Sequence, residues 1–233
     1  MTHTVTPTAR PNVATELSIV PSPRQSGRPA SQHTNHRGST RPFISLATDE
    51  PGVRGLFRFR PEAALPMNQL VDVLLRGDST LGRGERELIA TYVSALNRCR
   101  FCFHTHAAFA AVRLPEGMDL IDQVRADLDT APVTPKMRAL LRIAGSVQRG
   151  GREVTEEQVA AARAEGATDL EIHDTVLIAA AFCMFNRYVD GLGTVASDDP
   201  EHYLERARLT QGYVAVLAES LAESLDESLA EAG

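Results

Sequence analysis

Along most of the chain after Pro42, apolar residues recur every three or four positions, the spacing of helices that pack through one face. From Pro61 to Gly77 these residues are Leu65, Leu70, Val71, Val73, Leu74 and Leu75. From Gly82 to Leu96 they are Leu88, Ile89, Tyr92, Val93 and Leu96. Glu85 stands three residues after Gly82, a capping-box spacing with glycine in the cap position. Asn97 and Arg98 break this helix. A new one is expected from about Cys99 to Val112, with a short one over Met118 to Leu128.

The second half carries clearer boundaries. Thr134 and Pro135 cap and open a helix through Met137, Leu140, Leu141, Ile143 and Ala144, which Gly150 and Gly151 stop. Thr155 with Gln158 and Thr168 with Glu171 are capping boxes, and Gly166 ends the first of these two helices. The second runs through Val176, Ala180, Phe185 and Val189 to the glycines at 191 and 193. It is apolar on most faces between Val176 and Phe185, so it should be central. No period-2 run of β-branched residues occurs, and the expected fold class is all-α.

Both ends differ from this middle. Residues 1–41 form a segment rich in Arg, Pro and Ser. Together with Pro42 they hold six of the 13 prolines, and five arginines face one acid, Glu16. With nothing apolar to pack, the segment reads as a disordered tail. Its Arg-rich start also fits a targeting segment, but its prolines oppose the amphipathic helix that a mitochondrial one needs. Residues 42–203 form the expected domain, and 204–233 an acidic helix. In that helix Leu217, Leu221, Leu225 and Leu229 make a narrow apolar stripe, read as a surface edge or as a partner-binding or oligomerising face.

Composition narrows the function classes. The chain has 233 residues, 43% of them hydrophobic, with no Trp, and a formal net charge of −6. That charge argues against nucleic acid or an anionic membrane as partner. No run approaches a membrane span, so a cytoplasmic protein is expected. Three cysteines are too few for a disulfide scaffold.

Two of those cysteines, Cys99 and Cys102, are three residues apart, followed by His106 and preceded by Glu87. Cys-x-x-Cys at a helix start permits a disulfide, and the free N–H groups there favour a thiolate. Asn97 is the natural cap. His106, four residues after Cys102, lies one turn above it on the same face and can take its proton. His104 faces elsewhere. If the two helices pack antiparallel through the Asn97-Arg98 turn, Glu87 approaches His106 and orients the imidazole.

Other readings of the cluster stay open. Cys99, Cys102 and His106 supply three of the four ligands a structural zinc needs. Cys183, in the apolar run 179–184, reads as a buried structural thiol rather than a fourth ligand. Redox chemistry is the favoured reading. A zinc-binding structural module and a non-catalytic redox sensor or adaptor are the alternatives, and no cofactor is implied. Asn186 and Arg187 could line a pocket. The favoured reading of this stretch is structural, with Arg187 paired to a carboxylate and Asp190 capping the glycine turn.

The spacing Glu-x11-Cys-x-x-Cys-x3-His resembles the active-site motif of the AhpD-like alkylhydroperoxidases, in the carboxymuconolactone decarboxylase superfamily. The stretches LGRGERELIA (81–90) and AAAFCMFNRYVDGLG (179–193) resemble its peroxidase-related branch. The likeness spans Pro42 to Tyr203. It implies an all-helical domain whose central helical hairpin carries the cysteines, assembled as a homo-oligomer. It also implies an antioxidant peroxidase or thiol–disulfide oxidoreductase acting on a hydroperoxide or a partner disulfide. The reductant would be a dithiol, a lipoyl-type group or a peroxiredoxin. Carried over by position, Cys102 is the attacking thiol, Cys99 its disulfide partner, His106 the base and Glu87 the end of the proton relay. One departure is Phe101, where better-known members carry a histidine between the cysteines. The decarboxylase branch lacks the cysteine pair, so lactone decarboxylation is not implied.

Overall fold

In the computed structural model, residues 33–210 together with Gly212 and Tyr213 are described. Their helices are α1 (Val53–Phe59), α2 (Pro61–Arg76), α3 (Arg83–Leu96), α4 (Arg100–Ala111), α5 (Gly117–Ala126), α6 (Pro135–Arg149), α7 (Glu156–Ala164), α8 (Asp169–Gly191) and α9 (Pro200–Leu209). A 3₁₀ turn at Gly151–Glu153 follows α6. Among the described residues there is no strand, only an isolated antiparallel bridge between Thr34 and Ala196. The fold is all-α. No helix among these residues is long and apolar enough to cross a membrane.

The helix starts follow local chemistry. Thr134 Oγ1 accepts from the Met137 amide at 3.1 Å. Thr155 and Gln158 bond reciprocally at 3.3 and 3.2 Å, as do Thr168 and Glu171 at 3.2 and 2.8 Å. At Gly82 half of the box forms: the Glu85 carboxylate accepts from the Gly82 amide at 2.8 Å, and glycine has no side chain to return it.

The core is aliphatic, as an aromatic-poor chain requires. Leu88, Ile89 and Val93 of α3 meet Leu140, Leu141 and Ile143 of α6 and Ile178 and Phe182 of α8, all essentially inaccessible. Each such side chain contributes about 1.5–3 kcal/mol by leaving water. α3 lies against α4, α6 and α8, and α8 touches α1, α2, α3, α4, α6 and α7. A smaller cluster joins Cys99, Phe101, Cys102 and Phe109 to Val189, Tyr203 and Ala207.

Several boundaries differ from the sequence reading. α1 was not anticipated, because its seven residues are too few to display a period. It starts at Gly52, whose φ of 63° suits glycine. A Cβ there would also lie 2.2 Å from the Phe101 ring. α9 packs on α4 through Tyr203 and Ala207, so the helix around residue 204 belongs to the domain. The leucine stripe at 217–229 lies outside the described residues, as do residues 1–32.

The remainder of the segment read as tail is tied to the domain. Thr34 and Ala196 exchange backbone hydrogen bonds at 3.1 and 2.9 Å. Asn35, buried, donates to the carbonyls of Arg41 and Gly193 at 3.1 Å each. An asparagine that organises a turn needs no apolar neighbours, so composition could not reveal it. Cys183 is only partly buried, because its side of α8 is not fully covered.

Glu171 illustrates how one cap also fastens the bundle. Its buried carboxylate accepts from Lys136, Thr80 and the Thr168 amide, each at 2.8 Å. Burial alone would raise its pKa, but these donors outweigh it and bring the group from 4.5 to about 2. A depressed carboxylate stabilises the fold above its unfolded pKa and loses that contribution as pH falls through the folded one. Stability should therefore decline between pH 4.5 and about 2 through this group. Glu171→Gln should cost about 1–3 kcal/mol at pH 7 and flatten that acid limb, as read from denaturation midpoints against pH.

Candidate active site

The α3–α4 hairpin builds the site. Arg98 takes a left-handed conformation (φ 59°), and the Cys99 amide bonds back to the Ser94 carbonyl at 3.0 Å. α4 therefore returns antiparallel along α3. At about 1.5 Å per residue, Glu87 and His106 lie about 15 and 12 Å from the turn on facing helices, nearly level. Their side chains meet: Glu87 Oε2 is 2.7 Å from His106 Nδ1.

Cys99 occupies the N-cap of α4, and Cys102 lies in the first turn, where amide groups have no partner in the helix. Both are buried and reduced. Cys99 hydrogen-bonds to Cys102, and this bond, with burial, pushes the Cys99 thiol far up. Asn97 does not cap α4. Its amide donates to Asn186 at 2.8 Å and to the Cys183 sulfur at 3.6 Å and accepts from Gln148 at 2.9 Å. Asn186 completes this network by donating to Ser94 at 3.1 Å. The network ties the ends of α3, α6 and α8 together.

Glu87 has no exposure at all, yet it is ionised. Burial would raise its pKa, but His106 and then Arg76 outweigh this and hold the carboxyl below its usual range. Arg76, at the end of α2, is 2.6 Å from Glu87 Oε1. The Tyr213 hydroxyl donates to the same oxygen at 2.9 Å. Because an ionised carboxylate only accepts, the hydrogen of the Glu87–His106 bond sits on Nδ1. In a neutral imidazole this tautomer leaves the lone pair on Nε2.

His106 and Cys102 both line a cleft of about 970 Å³, counting its open mouth. Its walls are largely aromatic: Phe57, Phe101, Phe109, Phe182, Tyr203 and Tyr213. The Phe182 ring meets His106 edge-on at 4.4 Å. His104 points away and stacks on Tyr203 at 5.5 Å. Burial, then the cations Arg100 and Arg125, lower its pKa.

The structure thus brings Glu87, His106, Cys102 and Cys99 into one site. Asn186 is buried beside the hairpin rather than on this cleft. Arg187 bonds to the Cys183 carbonyl at 2.8 Å instead of a carboxylate. The Asp190 carbonyl accepts from Gly193 at 3.1 Å, while its carboxyl, raised by burial, hydrogen-bonds to Cys99. The sequence reading missed Arg76 and Tyr213. Arg76 looks like any basic residue in a last helical turn. Tyr213 did carry a signal, as the only aromatic residue after Tyr203.

The family model for the carboxymuconolactone decarboxylase family matches residues 61–113, from the start of α2 to just past α4. Two solved structures share the fold. One is an uncharacterized peroxidase-related protein from Ralstonia eutropha JMP134, described as an alkylhydroperoxidase AhpD core. It is 29% identical with a TM-score of 0.60, over 69% of this chain and 83% of that one. The other is an uncharacterized peroxidase-related protein from Silicibacter sp. TM1040, 26% identical with a TM-score of 0.60, over 66% of this chain and 78% of that one. No curated protein matches. Over residues 61–113 the chain is similar to the carboxymuconolactone decarboxylase family, and it shares its fold with these two peroxidase-related proteins.

Glu87 also carries stability. Glu87→Ala leaves the Arg76 guanidinium buried without its counter-charge and should cost about 3–5 kcal/mol. Removing both charges by the pair Glu87→Leu with Arg76→Met should recover most of that loss. Chemical denaturation of the two variants checks both statements.

Proposed function

We propose that this protein is a Cys-x-x-Cys peroxidase or thiol–disulfide oxidoreductase, in which Cys102 attacks, Cys99 resolves, His106 moves the proton and Glu87 holds His106. The family and its peroxidase-related neighbours support a general alkylhydroperoxidase-like role. The observation that carries the finer reading is the 2.7 Å Glu87–His106 pair at the wall of the cleft that Cys102 lines.

The cycle balances on these groups. His106 Nε2 takes the Cys102 proton. The thiolate attacks a peroxide oxygen, the S–O bond forms and the O–O bond breaks. His106 returns the proton to the departing alkoxide, giving an alcohol and a Cys102 sulfenic acid. Cys99 then attacks the Cys102 sulfur. The S–S bond forms, the S–O bond breaks, and hydroxide leaves with the Cys99 proton as water. The two thiols lose two electrons and the peroxide gains them. With a disulfide substrate, the first attack gives a mixed disulfide that Cys99 resolves in the same way. A dithiol, a lipoyl-type group or a peroxiredoxin returns the pair to its reduced form. The raised Cys99 thiol suits second attack, since it stays protonated while Cys102 reacts.

Peroxide treatment should link Cys99 to Cys102 and leave Cys183 reduced, as read by peptide mapping. Cys102→Ser should abolish reaction. Cys99→Ser should accumulate a sulfenic acid that dimedone traps on Cys102, whereas an adduct on Cys99 reverses the roles. His106→Ala should slow peroxide turnover about 10²–10⁴-fold, the usual scale of a general base.

A further inference from the structure

Tyr213 reaches the site from beyond α9. Its hydroxyl donates to Glu87 Oε1 at 2.9 Å and lies 3.4 Å from His106 Nδ1. Its ring stacks on the imidazole at 6.0 Å and lies under the Arg76 guanidinium at 4.8 Å. Its amide donates to Asp72 Oδ1 on α2 at 2.7 Å, so the tyrosine is clasped from a second side. An aromatic residue recruited only to close an apolar wall would not need its hydroxyl on the buried carboxylate.

We propose that Tyr213 is a positioning residue that sets how strongly Glu87 polarises His106. Together with the Arg76 ion pair it engages Oε1, which leaves Oε2 for Nδ1 of His106 and Nε2 facing away from the carboxylate. Each donor on Oε1 withdraws charge from the carboxylate. Glu87 then pulls less on the imidazole proton, which leaves the ring able both to accept and to return a proton. The phenol can keep this role across the working pH range, since burial first, and then Glu87, raise its pKa well above the ordinary value. The proposal rests on the Cys102–His106–Glu87 reading above.

The test is the pH profile of Cys102 alkylation by iodoacetamide, followed on the full-length protein by peptide mass spectrometry. Tyr213→Phe keeps the ring and removes the donor. Glu87 becomes more basic, His106 takes the Cys102 proton more readily, and the thiolate persists to lower pH. Alkylation on the acid side of the profile should rise about 3- to 10-fold, the ratio that one net hydrogen bond supplies, with the alkaline plateau unchanged. Asp72→Ala, away from the carboxylate, loosens the clasp and should move the profile in the same direction by less. It also serves as the second variant if Tyr213→Phe fails to fold. A lowered melting temperature with an unmoved profile would reduce Tyr213 to packing and overturn the proposal. A wild-type profile that does not respond to His106→Ala would instead sink the underlying reading, so the two failures are distinguishable.

Discussion

The carboxylate of Glu87 is wholly removed from water, and its charge constrains the groups around it. An unpaired charge in such a place costs several kcal/mol, so the fold must surround it with donors. Three supply them: His106 from α4, Arg76 from the end of α2 and Tyr213 from beyond α9. These groups come from segments far apart in sequence, so the carboxylate is also a knot in the tertiary structure. The network that orients the imidazole is the one that joins α2, α3, α4 and the chain after α9.

Local periodicity explains why much of this could be read in advance. The four-residue step from Cys102 to His106 is a statement about helical phase, and the approach of Glu87 follows once α3 and α4 turn back on each other. Capping threonines at 134, 155 and 168 marked helix starts through bonds made within three residues. The missing parts are those that no local rule contains. Arg76 and Tyr213 acquire meaning only through contacts with a residue 11 or 126 positions away. Asn97 was misread for the same reason. Its position suits a cap, but Asn186 and Gln148 arrive from α8 and α6 and take its side chain.

Phe101 shows how the cleft and the cysteine pair are coupled. Its ring meets Tyr203 of α9 edge-on at 6.4 Å and fills the space that Gly52, before α1, leaves open by lacking a side chain. A polar residue at this position would face an apolar wall with little to bond to. The aromatic side chain instead fastens the first turn of α4 to α1 and α9. His106, whose ring meets the Glu87 carboxylate, lines the same cleft one turn beyond Cys102.

The two thiols consequently live in different surroundings, although three residues separate them. Cys102 opens on the cleft that His106 also lines. Cys99 is fully enclosed, with Cys102 on one side and the Asp190 carboxyl on another. A nucleophile needs access and a base, whereas a resolving thiol needs only to stay close and protonated until its neighbour is oxidised. The helix start separates these requirements by geometry. At the cap position Cys99 hydrogen-bonds to Cys102 and to the Asp190 carboxyl, and Cys102, the third residue of the first turn, projects from the helix face that carries His106 one turn later. In the proposed cycle, the order of attack follows from where each sulfur sits, because enclosure also holds the Cys99 thiol protonated while Cys102 reacts.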